Sequence, residues 1–95
     1  MTISAEYIDL VRERSPLADV IGEHVNLREC GRNELAGLCP FHDEKHPSFR
    51  VVPARGLYFC FSCQNSGDVI AFTQMITGLT FEKAVAALAA RAGIA

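Results

Sequence analysis

Cys39-Pro-Phe-His42, followed after seventeen intervening residues by Cys60-Phe-Ser-Cys63, is the stretch from which the fold of this 95-residue chain is read. Each pair leaves two residues between potential ligands, the spacing with which a tight turn aims two donors at one ion. Two such knuckles supply the four soft or borderline ligands that tetrahedral Zn²⁺ prefers, and the interval is close to the roughly 15–20 residues found between paired ligands of zinc sites. A closed four-ligand set leaves no position for water, so the expected ion is structural and not catalytic. Three thiolates and a neutral imidazole around a divalent ion leave one net negative charge. Zinc binding in small finger peptides supplies about 10–16 kcal/mol, comparable with the whole net stability of a small domain.

Other donors lie near these four. Cys30 would make an all-cysteine set in place of His42, but it has no knuckle partner and otherwise reads as a half-buried thiol at a strand end. His46 stands four residues after His42, although Pro47 disfavours the helix that would bring both to one metal. His24 reads as a solvated loop histidine. A redox role for Cys60 and Cys63 would need a βαβ setting that this segment lacks.

Outward from the knuckles, short β-prone runs at Val25–Arg28, Leu35–Leu38, Ser48–Val52 and Leu57–Phe61 are separated by turns at Gly31-Arg-Asn33 and Pro53-Ala-Arg-Gly56. They predict a small antiparallel sheet. Before it, Ile3, Tyr7, Leu10, Val11 and the stem of Arg14 follow helical spacing, and Ser15-Pro16 should end that helix. Ser15 is then expected to cap a short second helix through Leu17, Val20 and Ile21 to Gly22. After Cys63, Ser66-Gly-Asp68 offers a helix start, with Val69, Phe72, Ile76 and Leu79 on one face and Gly78 near the end. Thr80 caps a last helix whose packed side is Phe81, Ala84, Val85, Leu88 and Ala92. The expected fold class is α+β: a zinc ribbon with a small antiparallel β-sheet flanked by N- and C-terminal helices. Residues 1–95 read as one domain, with the ribbon core at about 25–65.

Composition agrees with a globular domain: 49% of residues are hydrophobic, 21% are charged and the formal net charge is −2. A domain this small buries too little apolar surface for a comfortable margin of stability, which gives the metal cross-link its weight. Residues 1–27 carry two basic and five acidic residues, 28–60 five and four, and 61–95 two of each. The basic excess therefore falls among the cysteines, and any nucleic-acid argument must rest on that local cluster. No charged n-region and apolar h-region open the chain, and no run approaches the roughly 18–20 apolar residues of a membrane span. The expected location is the cytoplasm, where clustered cysteines are more often metal ligands than disulfides.

Gly37-Leu-Cys-Pro-Phe-His-Asp-Glu-Lys-His-Pro-Ser-Phe49, Tyr58-Phe-Cys-Phe-Ser-Cys63 and Gly67-Asp-Val-Ile-Ala-Phe72, in that order, resemble the Cys-His-Cys-Cys zinc finger at the N-terminus of bacterial DnaG-type DNA primases. Flanking stretches from Asp19 to Leu27 and from Thr80 to Ala89 resemble the same pattern. The resemblance implies a zinc ribbon that contacts single-stranded template DNA and helps choose where an RNA primer starts. It implies as partners the template, a primase polymerase domain in cis or in trans, and the replicative helicase through the full-length protein. Phe59, Ser62 and Gln64 depart from the family's histidine before the third ligand and glycines around the fourth. Either Gln64 or Asn65 must then take a conformation that glycine adopts more easily. His46 likewise stands where the family commonly has Thr or Ser.

Single-strand binding needs cations for phosphates and flat rings for bases. Arg28, Arg32, Lys45, Arg50 and Arg55 are the candidate cations, and Tyr58 and Phe61, with Phe49 and Phe59, the candidate rings. Strand alternation sends Tyr58 and Cys60 to one side and Phe59 and Phe61 to the other, so only one set joins the core. Phe41, Phe49 and Phe72 read as core. No acidic cluster with a phosphate cradle is present, Asp43-Glu44 reads as a turn, and no catalytic residue is expected; the polymerase domain of the resembling family would lie beyond Ala95. A stand-alone zinc-ribbon DNA- or protein-interaction module of a phage or mobile-element replication protein is the alternative reading.

Overall fold

The computed structural model describes residues 3–43 and 45–94; Glu44 of the expected Asp43-Glu44 turn and the opening Met1-Thr2 lie outside them. Helix α1 spans Ala5–Glu13, and the Ser4 hydroxyl caps it by accepting the Tyr7 N–H at 3.1 Å. Val11 is fully buried, while Ile3, Tyr7 and Ile8 pack against the core. Arg14 is the exposed C-cap residue and its stem stays off the apolar face. Helix α2, Leu17–Gly22, begins at Pro16 with no side-chain cap. Ser15 does not act as the expected cap: its N–H still closes the end of α1 onto Arg12 O, and its buried hydroxyl has no partner among the described residues.

Five strands follow: β1 (Arg28–Glu29), β2 (Leu35–Gly37), β3 (Phe49–Val52), β4 (Leu57–Cys60) and β5 (Ser66–Gly67). They pair antiparallel in chain order. The first strand is displaced from its expected position. Val25–Leu27 instead lies against β2, where a Cβ on Gly37 would stand 2.7 Å from Val25 Cγ1 and 3.0 Å from Asn26 O. The fifth strand was hidden in what reads as a helix start, because two residues carry no periodicity.

Helix α3 (Val69–Thr77) is capped by Asp68, whose carboxylate accepts the Ala71 N–H at 2.8 Å, and stops at the left-handed Gly78. Helix α4 (Phe81–Ala92) is capped by Thr80. Ala84, Val85, Leu88 and Ala89 form its buried side. Phe81, at the first position and before the helix meets the core, is exposed, contrary to the expected face. Arg91 donates to Glu23 Oε2 at 3.0 Å through Nε, tying α4 to the end of α2, and holds that carboxyl below its ordinary range. Among the described residues no helix is long and apolar enough to cross a membrane.

Register fixes the two faces of the sheet. Leu35, Val51, Tyr58 and Gly67 stand opposite one another and point with Phe49 and Cys60 into the core, whereas Arg28, Ala36, Arg50, Phe59 and Ser66 form the outer row. Phe49, Tyr58 and Phe72 are buried, and the half-buried Phe41 completes their cluster, with centroids 5.3 Å apart for Phe49–Tyr58 and 5.7 Å for Phe41–Phe72.

Candidate metal centre and outer sheet face

Beta pairing carries the two knuckles to one end of the sheet. Gly37 stands opposite Phe49, and Phe49 opposite Cys60, so Cys39 just past β2 and Cys60 at the end of β4 emerge side by side. The second knuckle is closed by the Gln64 N–H donating to Cys60 O at 2.8 Å and the Cys60 N–H donating to Asn65 O at 2.9 Å. Gln64 takes the left-handed conformation, with φ of 61°. Of the two residues that the sequence left open for that strain, Gln64 carries it.

The ligand atoms of Cys39, His42, Cys60 and Cys63 all lie within 4.8 Å of one another. Cys39 Sγ is 3.8 Å from Cys63 Sγ, and Cys60 Sγ is 3.7 Å from His42 Nε2. Zinc–sulfur bonds of roughly 2.3 Å in a tetrahedron imply edges of about 3.8 Å, so the donor set fits one zinc ion. His42 Nδ1 lies 3.2 Å from Asp43 O. Donation there leaves the Nε2 lone pair facing the sulfurs, the usual way in which an outer hydrogen bond fixes a ligand tautomer. Burial pushes the Cys39 thiol up to about 12. Burial also opposes ionisation of Cys60, but hydrogen bonds from the Cys63 backbone, His42 and the Ser62 backbone outweigh it and bring that thiol down to about 7. Crowded thiols that share one pocket need a cation to ionise together, and a divalent metal supplies it.

Neither alternative donor joins this cluster. The Cys30 thiol accepts a hydrogen bond from the Arg50 guanidinium on the outer face, and His46 is exposed. His24 is exposed as expected, though its ring centroid lies 5.9 Å from that of Phe72.

Candidate DNA contacts separate by location. Arg28 and Arg50 share the outer row, and Arg50 lies over the Phe61 ring at 5.7 Å. Phe61 is 64% exposed and meets Phe59 edge-on at 4.9 Å. Lys45 is exposed beside the zinc end of the sheet, and Arg32 is exposed in the β1–β2 turn at the opposite end. Arg55 lines a recess with Arg12, Ser15 and Asp68, away from the row. Tyr58 is withdrawn as a base-stacking candidate. It is 1% exposed, because its strand parity turns it into the core with Phe49, and its hydroxyl donates to Asn65 Oδ1 at 2.7 Å. The buried environment, followed by the nearby Asp68 charge, raises that hydroxyl to about 12. The sequence marks Asn65 only as an alternative to Gln64 for the left-handed position; nothing in it points to the bond with Tyr58.

Residues 3–95 match the model of the CHC2 zinc finger family. The chain is 49% identical over 92 residues to a DNA primase of Streptomyces coelicolor, covering 97% of this chain and 14% of that protein. It is 47% identical over 92 residues to a DNA primase of Thermotoga maritima, covering 97% of this chain and 16% of that one. The crystal structure of the zinc-binding and RNA polymerase domains of the Aquifex aeolicus primase superposes with a TM-score of 0.86 at 35% identity, over 96% of this chain and 22% of that one.

Proposed function

We propose that this chain, which belongs to the CHC2 zinc finger family and is a zinc-binding domain of a DNA primase, binds single-stranded template DNA on its outer sheet face and assists the choice of initiation site. The one structural zinc sits at the end of the sheet, with Cys39, His42, Cys60 and Cys63 as its ligands. When bound, the ion supplies a cross-link between β2 and β4 and the counter-charge for the thiolates. The side chains do the rest: Phe41 packs the first knuckle onto Phe49 and Phe72, and the Ser62 hydroxyl donates to Ser48 Oγ at 2.9 Å.

The observation that carries the reading is the juxtaposition of Arg28, Arg50, Phe59 and Phe61 on one face of a sheet whose other face is sealed by the core. Cations and rings on one surface are what single strands require: the guanidinium groups meet phosphates and the exposed Phe61 stacks on a base, worth about 1–3 kcal/mol. Lys45 extends the cationic track toward the zinc end and Arg32 flanks it at the other, while Arg55 stands off the row beside Arg12 and Asp68. Residues 1–95 act as one domain with the ribbon core at about 25–65. Primer synthesis belongs to a polymerase domain in cis or in trans, with the helicase engaged through the full-length protein in the cytoplasm.

Arg50→Ala tests the reading. Binding of the zinc-loaded chain to a labelled single-stranded oligonucleotide should weaken for every sequence, and the slope of log affinity against log salt should shrink by about 0.7, the single-strand share of one phosphate contact. Binding unchanged by substitution of Arg28 and Arg50 together would refute it.

A further inference from the structure

Beyond the zinc knuckle and the free edge of β5 lies a recess of about 460 Å³, lined by Gln64, Asn65, Ser66, Gln74 and Met75. No Lys, Arg, Asp or Glu lines it, which makes it unlike a phosphate or carboxylate site. Its polar side-chain groups are the amides of Gln64, Asn65 and Gln74 and the hydroxyls of Ser66 and Tyr58, none of them charged. The Tyr58 hydroxyl donates to Asn65 Oδ1, which fixes that amide so that its NH₂ is the free end. Gln64 is held there by a backbone conformation with φ of 61°, which glycine would adopt more readily. Met75, 51% exposed, adds a polarisable apolar wall.

The recess meets the outer row at Ser66, while Tyr58, Ala71, Gln74 and Met75 close it from the core side, where α3 packs. Ser66 stands opposite Phe59, and Phe59 opposite Arg50. At a strand spacing of roughly 4.8 Å, Ser66 is two strands, or about 10 Å, from Arg50. A single strand whose phosphates meet Arg28 and Arg50 and whose bases reach Phe61 therefore has this recess within a nucleotide or two of its path.

We infer that the amide recess formed by Gln64, Asn65 and Gln74 reads the hydrogen-bonding edge of one template base. An uncharged ligand rich in adjacent donors and acceptors is what these groups complement, and a side-chain amide matches the paired donor and acceptor of an adenine edge. This inference rests on the outer face being the template path: Arg28, Arg50 and Phe61 supply affinity, and the amides supply preference.

The test compares labelled single-stranded oligodeoxynucleotides of one length that differ at a single central base, titrated against the zinc-loaded chain. The native protein should discriminate among the four bases by roughly five- to a hundredfold, the range of one good bidentate pair. Asn65→Ala and Gln64→Gly should compress that spread to within about twofold while average affinity stays within about threefold. Gln64→Gly relieves a left-handed side chain, so a folding defect does not explain its loss of preference; if Asn65→Ala fails to fold, Gln64→Gly and Gln74→Ala decide. Variants that fold, bind and keep the native spread overturn the inference. So does a native protein that binds all four bases equally, which leaves the template reading intact. Absence of any single-strand binding overturns both.

Discussion

At the scale of the residue, the four zinc ligands and Gln64 carry different kinds of cost. Cys63→Ser replaces a thiolate with a hydroxyl at a site where the ligand atoms are held within 4.8 Å. Because zinc binding supplies about as much free energy as a small domain has in total, the variant should lose stoichiometric zinc and most of its strand content. Zinc analysis with far-ultraviolet circular dichroism checks this; a metal-free variant with native ellipticity would refute the structural role. Gln64→Gly should be neutral or stabilising by up to about 1 kcal/mol in denaturant unfolding, since relief of a left-handed side chain offsets the greater freedom of unfolded glycine. A loss above about 1 kcal/mol would mean that the Gln64 side chain itself holds the knuckle. The ligands were legible from two-residue spacings alone, and the strain near Gln64 from the missing glycine. Tyr58 reads as a stacking ring from its chemistry alone, which says nothing about the face a strand turns inward; its parity with Cys60 places it in the core.

Among elements, the helices follow from caps that can be read directly: Ser4, Asp68 and Thr80 each accept an N–H three residues on. The Ser15 cap failed because the residue is enclosed at the α1–α2 corner, a tertiary effect invisible to local pattern. The β5 strand escaped notice because it is held by β4 and α3 and not by its own periodicity. Its contact with α3 is tight: a Cβ on Gly67 would lie 2.6 Å from Ala71 Cβ and 3.6 Å from the Tyr58 ring. Gly67→Ala should therefore destabilise by about 1–3 kcal/mol, the range of core overpacking, measured by chemical denaturation. An unchanged midpoint would show that α3 moves away freely. Phe72→Ala, which empties the centre of the aromatic cluster between α3 and the sheet, should cost about 3–5 kcal/mol by the same assay.

For the molecule as a whole, a formal charge of −2 gives no general attraction to nucleic acid, so binding must come from one face. On the proposed reading, zinc and DNA binding are linked. The ion anchors β2 to β4, and those strands hold Arg50 and Phe61 in register, so the face should exist only in the metal-bound fold. The most direct measurement is fluorescence anisotropy of a short labelled single-stranded oligonucleotide titrated with the zinc-loaded chain, repeated after zinc is removed with a chelator and again after it is restored. The expected result is weak, salt-sensitive binding that disappears with the metal and returns with it; equal binding by the metal-free chain, or none by the zinc-loaded one, would contradict the account.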